Sequence, residues 1–439
     1  MSIAEKIGVQ VPEVLLPVPG IDLHKWAVIA CDQFTSQPEY WEKVAEIVRD
    51  APSTFHLILP EVWLHSLDVK DRILKSQQVM QDYLEKGILE PHKGFVFVER
   101  QVGDKVQSGL VVALDLDCYD YNKGSQTLIR ATEGTILDRL PPRMDVRRDA
   151  LLESPHILVL YDDPEGVVLS EILTRKQELP VAYDFDLMAG SGHIAGRLIE
   201  EPGLIDSIIE GLASLIEPST YTRKYDLPDA NAPLLFAMGD GNHSLATAKA
   251  IWEELKPHVS PDHPSRYALV ELVNLHDPSL KFEPIHRVLF NPGEDFDTTL
   301  QLYFSDKVKL HTITDMPTLI AEVAKSTSTQ QRFGMIQPYG YTLVELDHPQ
   351  HNLTAGSLQQ FLDLYLKSHP DTRIDYVHGD ETVDVLGRKP GNIGFFLPPI
   401  GKNSFFRSII VDGALPRKTF SMNHAKDKRF YMECRRIKP

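Results

Sequence analysis

Apolar positions along the chain recur with two periods. Over residues 37–49, 69–86 and 203–216 they return every three to four positions, the spacing of one buried helical face. In the second of these, Ile73, Val79, Met80 and Leu84 mark the face, and Gly87 falls just past the end, where a left-handed cap suits glycine. Ser36 and Glu39 have capping-box spacing before the first, and Pro38 suits its first turn. Elsewhere the period is two. Residues 94–101 and 109–117 alternate on either side of Gly103-Asp104 and predict an antiparallel pair. Further strands are expected at 26–30, 157–161, 267–275 and 282–289, with Asp162-Asp163-Pro164-Glu165-Gly166 as a turn. Gly190, Gly192 and Ala195 match the dinucleotide fingerprint, yet Glu200, Glu201 and Pro202 would interrupt its helix within about two turns. A hairpin joining strands 181–187 and 193–198 is the preferred reading. From 296 to 347 the order is helix, strand, helix, strand, strand, with strands at 307–312, 335–338 and 341–346. A helix at 357–366, a strand at 375–378, a short helix at 381–386 and a strand at 392–397 follow.

The chain is organised around residues 233–256. An apolar run, Pro-Leu-Leu-Phe-Ala-Met, leads into Gly239-Asp240-Gly241-Asn242-His243, and Leu245, Ala248, Trp252 and Leu255 then share a helical face. The pattern reads as strand, polar loop, helix. Two glycines give the loop backbone freedom, and the first helical turn leaves amide N–H groups unpaired. Such a turn holds an anion, while Asp240 and His243 add a carboxylate and an imidazole. The plainer reading has Asp240 or Asn242 only capping the helix, worth about 1 kcal/mol. Capping alone needs neither the second glycine nor the histidine.

Composition narrows the classes. The 439 residues exceed one small core and suggest two lobes or a domain with a large insertion. Lys and Arg total 45 against 62 for Asp and Glu, a formal charge of −17 that repels nucleic acid and anionic membrane. Any phosphate site must then be a local basic pocket. Cys31, Cys118 and Cys434 form no CxxC pair, which argues against a disulfide framework or cysteine-based zinc site and favours a reducing cytoplasm. The first residues lack a signal-type apolar region, and no apolar segment approaches the roughly 20 residues of a membrane span.

Two basic islands stand out. Arg130, Arg139, Arg143, Arg147 and Arg148 surround Glu133, Asp138 and Asp145. Arginine's fork suits phosphate and carboxylate, and Glu133 is placed like a general base or metal ligand. The alternative is a solvated, salt-bridged loop. From Arg417 onward eight basic residues face two acidic ones, a net of +6. Arg417-Lys418-Thr419 precedes an expected closing strand, so Lys418 is a candidate pocket cation; the remaining basic residues read as solvated surface or a weak RNA or partner patch. Asp32 and Gln33, at a strand end before a helix, read either as ligand contacts or as a connecting turn. His286-Arg287 and His378-Gly379-Asp380-Glu381 read as polar cleft residues or as ordinary surface and core. Walker A, HExxH, EF-hand and GxSxG patterns are absent.

Five stretches together resemble a bacterial and archaeal domain-of-unknown-function family, the one numbered one thousand and fifteen. They are residues 31–41 (CDQFTSQPEYW), the 130–143 segment, Gly239-Asp240-Gly241-Asn242-His243, Pro284-Ile285-His286-Arg287-Val288, and Leu415-Pro416-Arg417-Lys418-Thr419. Many relatives carry Asp-Gly-His-His-Arg in the central loop, a signature similar to that of free-serine kinases of the ParB and sulfiredoxin superfamily, which make O-phosphoserine from L-serine. The resemblance implies a loop near the phosphates containing Asp240 and His243, with Glu133 as base. Asn242 and Ser244 depart from the histidine and arginine of that signature, and Arg130 and Glu133 are separated by two residues where relatives often show Arg-His-Glu. The missing loop arginine would be replaced by Arg143 or Lys418.

These readings give one expectation. The fold is mixed α+β with a ParB/sulfiredoxin-like core: a main catalytic body over 1–295, an inserted α/β subdomain over 296–347, and a segment over 348–439 that returns to the main body. The activity is phosphoryl transfer between a nucleotide or pyrophosphate and a small hydroxylated metabolite, free L-serine first. Glu133, Asp240 and His243 would be catalytic, with Asp240 on Mg²⁺. Arg130, Arg143, Gly239, Gly241, Asn242, Lys418, Asp32, Gln33, His286 and Arg287 would bind phosphate or substrate. The rival is a non-catalytic sensor of a nucleotide or phosphometabolite, and a nucleic-acid-binding role stands last because of the charge.

Overall fold

In the computed structural model, which describes residues 1–416, 418–422 and 428–439, the two alternating runs pair as antiparallel strands Phe95–Val102 and Lys105–Asp115. Their period of two sorts side chains to opposite faces. Phe95, Phe97, Leu110, Val112 and Leu114 enter one core, and Val96, Val98 and Val111 enter another. The sheet is thus buried on both faces. Among the described residues it has ten strands. Its order is Val181–Asp186, His193–Ile199, Phe95–Val102, Lys105–Asp115, Tyr267–Asn274, Leu158–Tyr161, Phe236–Asp240, Ile129–Arg130 and Tyr119–Asp120, with Val9–Gln10 paired to Lys105–Asp115. Helices Pro202–Ser214 and Asn242–Leu255 cover one face through Leu204, Ile208, Leu212, Leu245 and Trp252. Helices Pro38–Val48 and Val69–Glu85 cover the other through Trp41, Val44, Met80 and Tyr83. The fingerprint-like glycines form the hairpin connection between Val181–Asp186 and His193–Ile199.

The chain divides into two compact units, Met1–Leu280 with Asn423–Pro439, and Lys281–Met422. The second has its own antiparallel sheet, ordered Val308–Ile313, Gly340–Asp347, Gln330–Gln337, Asn392–Phe396, Phe282–Phe290 and Arg373–His378, with Phe420–Met422 added on Phe282–Phe290. Phe296–Phe304 and Thr354–Ser368 pack on one face against Leu289, Phe333, Val344 and Phe395. Met316–Val323 and Asp380–Gly387 pack on the other against Val288, Ile336 and Phe396. Helices and strands of the 296–347 segment belong to this unit, whose sheet also takes strands from before and after that segment. The molecule is mixed α+β. Among the described residues no helix is long and apolar enough to cross a membrane.

Three local expectations need correction. The strand expected at 26–30 is only Val28–Ile29, because Leu23–Trp26 winds into a short helix. The Ser36 capping box does not form: the turn passes through Phe34 at φ 53° and the N-cap falls one residue later, at Gln37, with no side-chain cap, although Pro38 is the first helical residue. The C-terminal basic residues are not uniformly a solvated surface: Arg429 and Arg435 are buried and Lys428 half-buried, while Arg436 is exposed. Phe430–Tyr431 pairs with Val28–Ile29 and Arg435–Arg436 with Leu152–Glu153, and Phe430, Tyr431, Met432, Cys434 and Ile437 are buried. Of that tail, Arg417, Lys426 and Asp427 lie outside the described residues.

Candidate functional site

The site grows from the end of the Phe236–Asp240 strand. Gly241 follows at φ +78°, a left-handed conformation that L side chains rarely adopt, and a Cβ there would stand 3.1 Å from Ile157 Cα. Glycine is therefore required to turn the strand into the Asn242–Leu255 helix. It is also the N-cap, so no side chain caps this helix, and neither Asp240 nor Asn242 takes the capping role. Asn242 Oδ1 is buried without a hydrogen-bond partner among the described residues.

Register decides what meets Asp240. Leu158 stands opposite Asp240 in the antiparallel pairing, which delivers His156, two residues upstream, to the same edge. The pairing of Phe430 with Ile29 brings Lys428 and Tyr431 to the end of the Val28–Ile29 strand, where Cys31, Asp32 and Gln33 follow. Lys428 Nζ donates to Asp240 Oδ2 at 2.7 Å, and the Gly241 amide donates to Asp240 Oδ1 at 3.0 Å. Burial raises the Asp240 carboxyl, but the Lys428 charge and hydrogen bond, then the charge of His156 and the Gly241 amide, outweigh it and hold Asp240 below the usual carboxylate range. Asp240 keeps 31% of its side-chain surface exposed, so it is an open carboxylate.

Around this pair runs a relay. His156 Nε2 lies 2.9 Å from Ser244 Oγ, and Nδ1 lies 2.7 Å from the Tyr431 hydroxyl, which accepts from the Cys31 amide at 3.1 Å. Burial pushes the Cys31 thiol well up, with the charges of Asp32 and Glu61 adding to it, so the thiol stays neutral. Gln33 Nε2 donates to Asp32 Oδ1 at 3.0 Å, and the Gln33 carbonyl accepts from Trp41 Nε1 at 3.2 Å.

The remaining expected residues are placed as follows. Arg130 is buried, with Nε donating to the Thr127 carbonyl at 2.8 Å and Nη2 to the Ala232 carbonyl at 2.6 Å; it fastens two loops by their backbones. Arg143 grips Glu61 with Nε and Nη2 at 2.8 and 2.5 Å. Arg147 pairs with Glu153 at 2.6 Å, and Arg148 pairs with Glu254. This half of the arginine island is the salt-bridged alternative. Glu133 is half-buried and Gly239 is the penultimate residue of the Phe236–Asp240 strand. His286, Arg287 and Lys418 belong to the second unit. There His286 stacks on Phe396 with ring centroids 4.6 Å apart, its Nδ1 accepting from the Leu397 amide. Arg287 is fully buried, with Tyr376 5.4 Å from its guanidinium carbon and Gln359 3.3 Å from Nε. Lys418 is exposed.

Sequence reasoning missed His156, Lys428 and Tyr431. Lys428 was visible only as one charge in a basic tail, and His156 as a lone histidine before a strand. What joins them is strand register across 188 and 275 residues, which no local pattern carries.

Magnesium is the metal that the resemblance implies. Among the described residues no three His, Cys, Asp or Glu side chains gather to hold a metal, and Asp240 is already neutralised by Lys428. These residues do not form a resident magnesium site.

Comparisons with known proteins complete the picture. Solved structures similar to the chain include a free serine kinase mutant in complex with ADP (9% identity, 74% of this chain and 92% of that chain, TM-score 0.40). A conserved hypothetical protein from Pyrococcus furiosus is also similar (9%, 75% and 95%, 0.36), as is SbnI with C-terminal truncation from Staphylococcus aureus (9%, 71% and 82%, 0.35). No curated protein matches the sequence. The model of one family, described as protein of unknown function (DUF1015), matches residues 15–365, and the chain belongs to that family.

Proposed function

We propose that this protein transfers a phosphoryl group between a nucleotide, or pyrophosphate, and a small hydroxylated metabolite, with free L-serine the first acceptor to test. The observation that carries the reading is the Asp240–Lys428 pair, 2.7 Å apart, at the mouth of a helix whose N-terminus no side chain caps. Phosphoryl transfer asks a protein mainly for positioning and charge neutralisation. The uncapped turn and the Lys428 charge would hold phosphate oxygens. Asp240, held ionised, would orient the acceptor hydroxyl. Glu133 would take its proton, a role that rests on the sequence resemblance. Lys428 would take over the charge of the loop arginine that this chain lacks.

The test is to incubate the protein with Mg²⁺, L-serine and, separately, ATP, ADP or pyrophosphate, and to follow O-phosphoserine by mass spectrometry in both directions. The expected result is product with one donor, reduced at least about 100-fold in Asp240→Asn, the scale on which removing one positioned group acts. Unchanged turnover in that variant would remove Asp240 from the mechanism. Nucleotide binding without turnover of any hydroxylated acceptor would identify a sensor instead.

A further inference from the structure

Behind the loop, within the first unit, lies a cavity of about 150 Å³. Its wall is largely aliphatic, with Leu57, Leu59, Met80, Ala150, Leu152 and Leu269 among the lining side chains. One end is polar: Ser244, His156 and Tyr431 of the relay all reach it. Two features define what it accepts. First, each arginine lining it is matched by a lining carboxylate, Arg143 by Glu61 at 2.5 Å and Arg147 by Glu153 at 2.6 Å. With the His156 imidazole neutral, no unbalanced charge remains to repay the desolvation of a phosphate, a carboxylate or a zwitterion. Second, the His156–Ser244 hydrogen bond runs in either direction according to the imidazole tautomer, so Ser244 Oγ offers a ligand an acceptor in one tautomer and a donor in the other. A hydroxyl, which both donates and accepts, satisfies each case. A carbonyl or an ammonium satisfies one.

We propose that this cavity is a binding site for a neutral molecule with a compact apolar body and a single hydroxyl, the hydroxyl at the Ser244–His156 end. Its size suits a six-membered ring, since an apolar protein cavity of about this volume takes benzene. The site is separate from the Asp240–Lys428 pair and exists whether or not the protein transfers phosphate.

Cyclohexanol is the probe, titrated into protein carrying ¹³C-methyl methionine. Met80 lines the cavity and is one of nine methionines, so its methyl signal, assigned with Met80→Leu, reports occupancy. The expected result is a saturable shift of the Met80 signal with cyclohexanol and none with L-serine or inorganic phosphate. Ser244→Ala should weaken the response about two- to tenfold, the range of one hydrogen bond. Filling the space with Ala150→Phe, or with Leu269→Phe if the first does not fold, should abolish it while the other methionine signals hold their positions. A Met80 signal unmoved up to the solubility limit of cyclohexanol would overturn the proposal. So would an equal response to L-serine or phosphate, or a response retained in a folded, cavity-filled variant. None of these readouts depends on turnover, so failure here leaves the phosphoryl-transfer reading untouched, and the reverse holds too.

Discussion

Asp240 shows how one residue's environment sets its chemistry. Its folded carboxyl titrates lower than in the unfolded chain, chiefly because Lys428 outweighs burial. The linked stability is therefore fully present above the ordinary carboxylate range and is lost as the pH falls through the lower folded value. Asp240→Asn should flatten that acid limb by lowering stability at neutral pH, with the two proteins converging as the pH falls below the folded value. His286 behaves as a buried base. Burial pushes it down from 6.5 to about 4, against the pull of Asp380 3.4 Å away. Its unfolded form takes a proton first as the pH falls, so stability is intact above 6.5 and declines toward pH 4, by on the order of 3 kcal/mol. Denaturant unfolding of His286→Asn, whose amide oxygen can still accept from Leu397, should show a flatter slope across that window. At Gly241 the φ of +78° and the 3.1 Å approach to Ile157 predict that Gly241→Ala costs at least about 1–3 kcal/mol. Melting of the variant checks this, and an unchanged melting temperature would mean that the loop backbone relaxes freely.

At the scale of elements, what the sequence makes legible is what local period encodes. The helices over 69–86 and 203–216, the hairpin pair around Gly103-Asp104 and the hairpin read in place of the dinucleotide fingerprint follow from spacing and turn residues, and the structure has each of them. The strand and the helix around 239–243 are present too, but the expected loop shrinks to Gly241 alone, with Gly239 and Asp240 in the strand and Asn242 and His243 in the helix. Pairing partners are not encoded locally. The C-terminal segment reads as solvated because it is basic, yet apart from Glu433 the acids that neutralise it, Asp240, Glu271, Glu153 and Asp149, lie far away in sequence. Arg429 sits between Glu271, 3.0 Å from its Nε, and Glu433, with Tyr183 also on Glu433, and all four are buried. Gly109 belongs to this arrangement, since a Cβ there would lie 2.3 Å from Glu271 Oε1. Removing one partner from such a cluster strands charge in the interior. Arg429→Met should cost about 3–5 kcal/mol in urea unfolding, far beyond an exposed arginine such as Arg436. Equal costs for the two would show that the cluster is solvated in practice.

For the whole molecule, the proposed reading requires a chain of net charge −17 to hold an anion. The second unit interrupts the first in sequence, and the chain then returns so that its last residues complete the first unit's core. That return carries Lys428 to the turn at Gly241, where register, a required glycine and an uncapped helix coincide. The cation is local, as an acidic protein demands of any phosphate site. A truncation before Lys428 would remove it together with the buried Phe430 and Tyr431, so a point substitution is the cleaner probe. The most direct test is calorimetric titration of ADP into the full chain and into Lys428→Met, matched in fold by circular dichroism. The account predicts that the variant binds at least about tenfold more weakly, the equivalent of one charge-assisted contact. Equal affinity in the two proteins would contradict it and move the phosphate site away from the Asp240 loop.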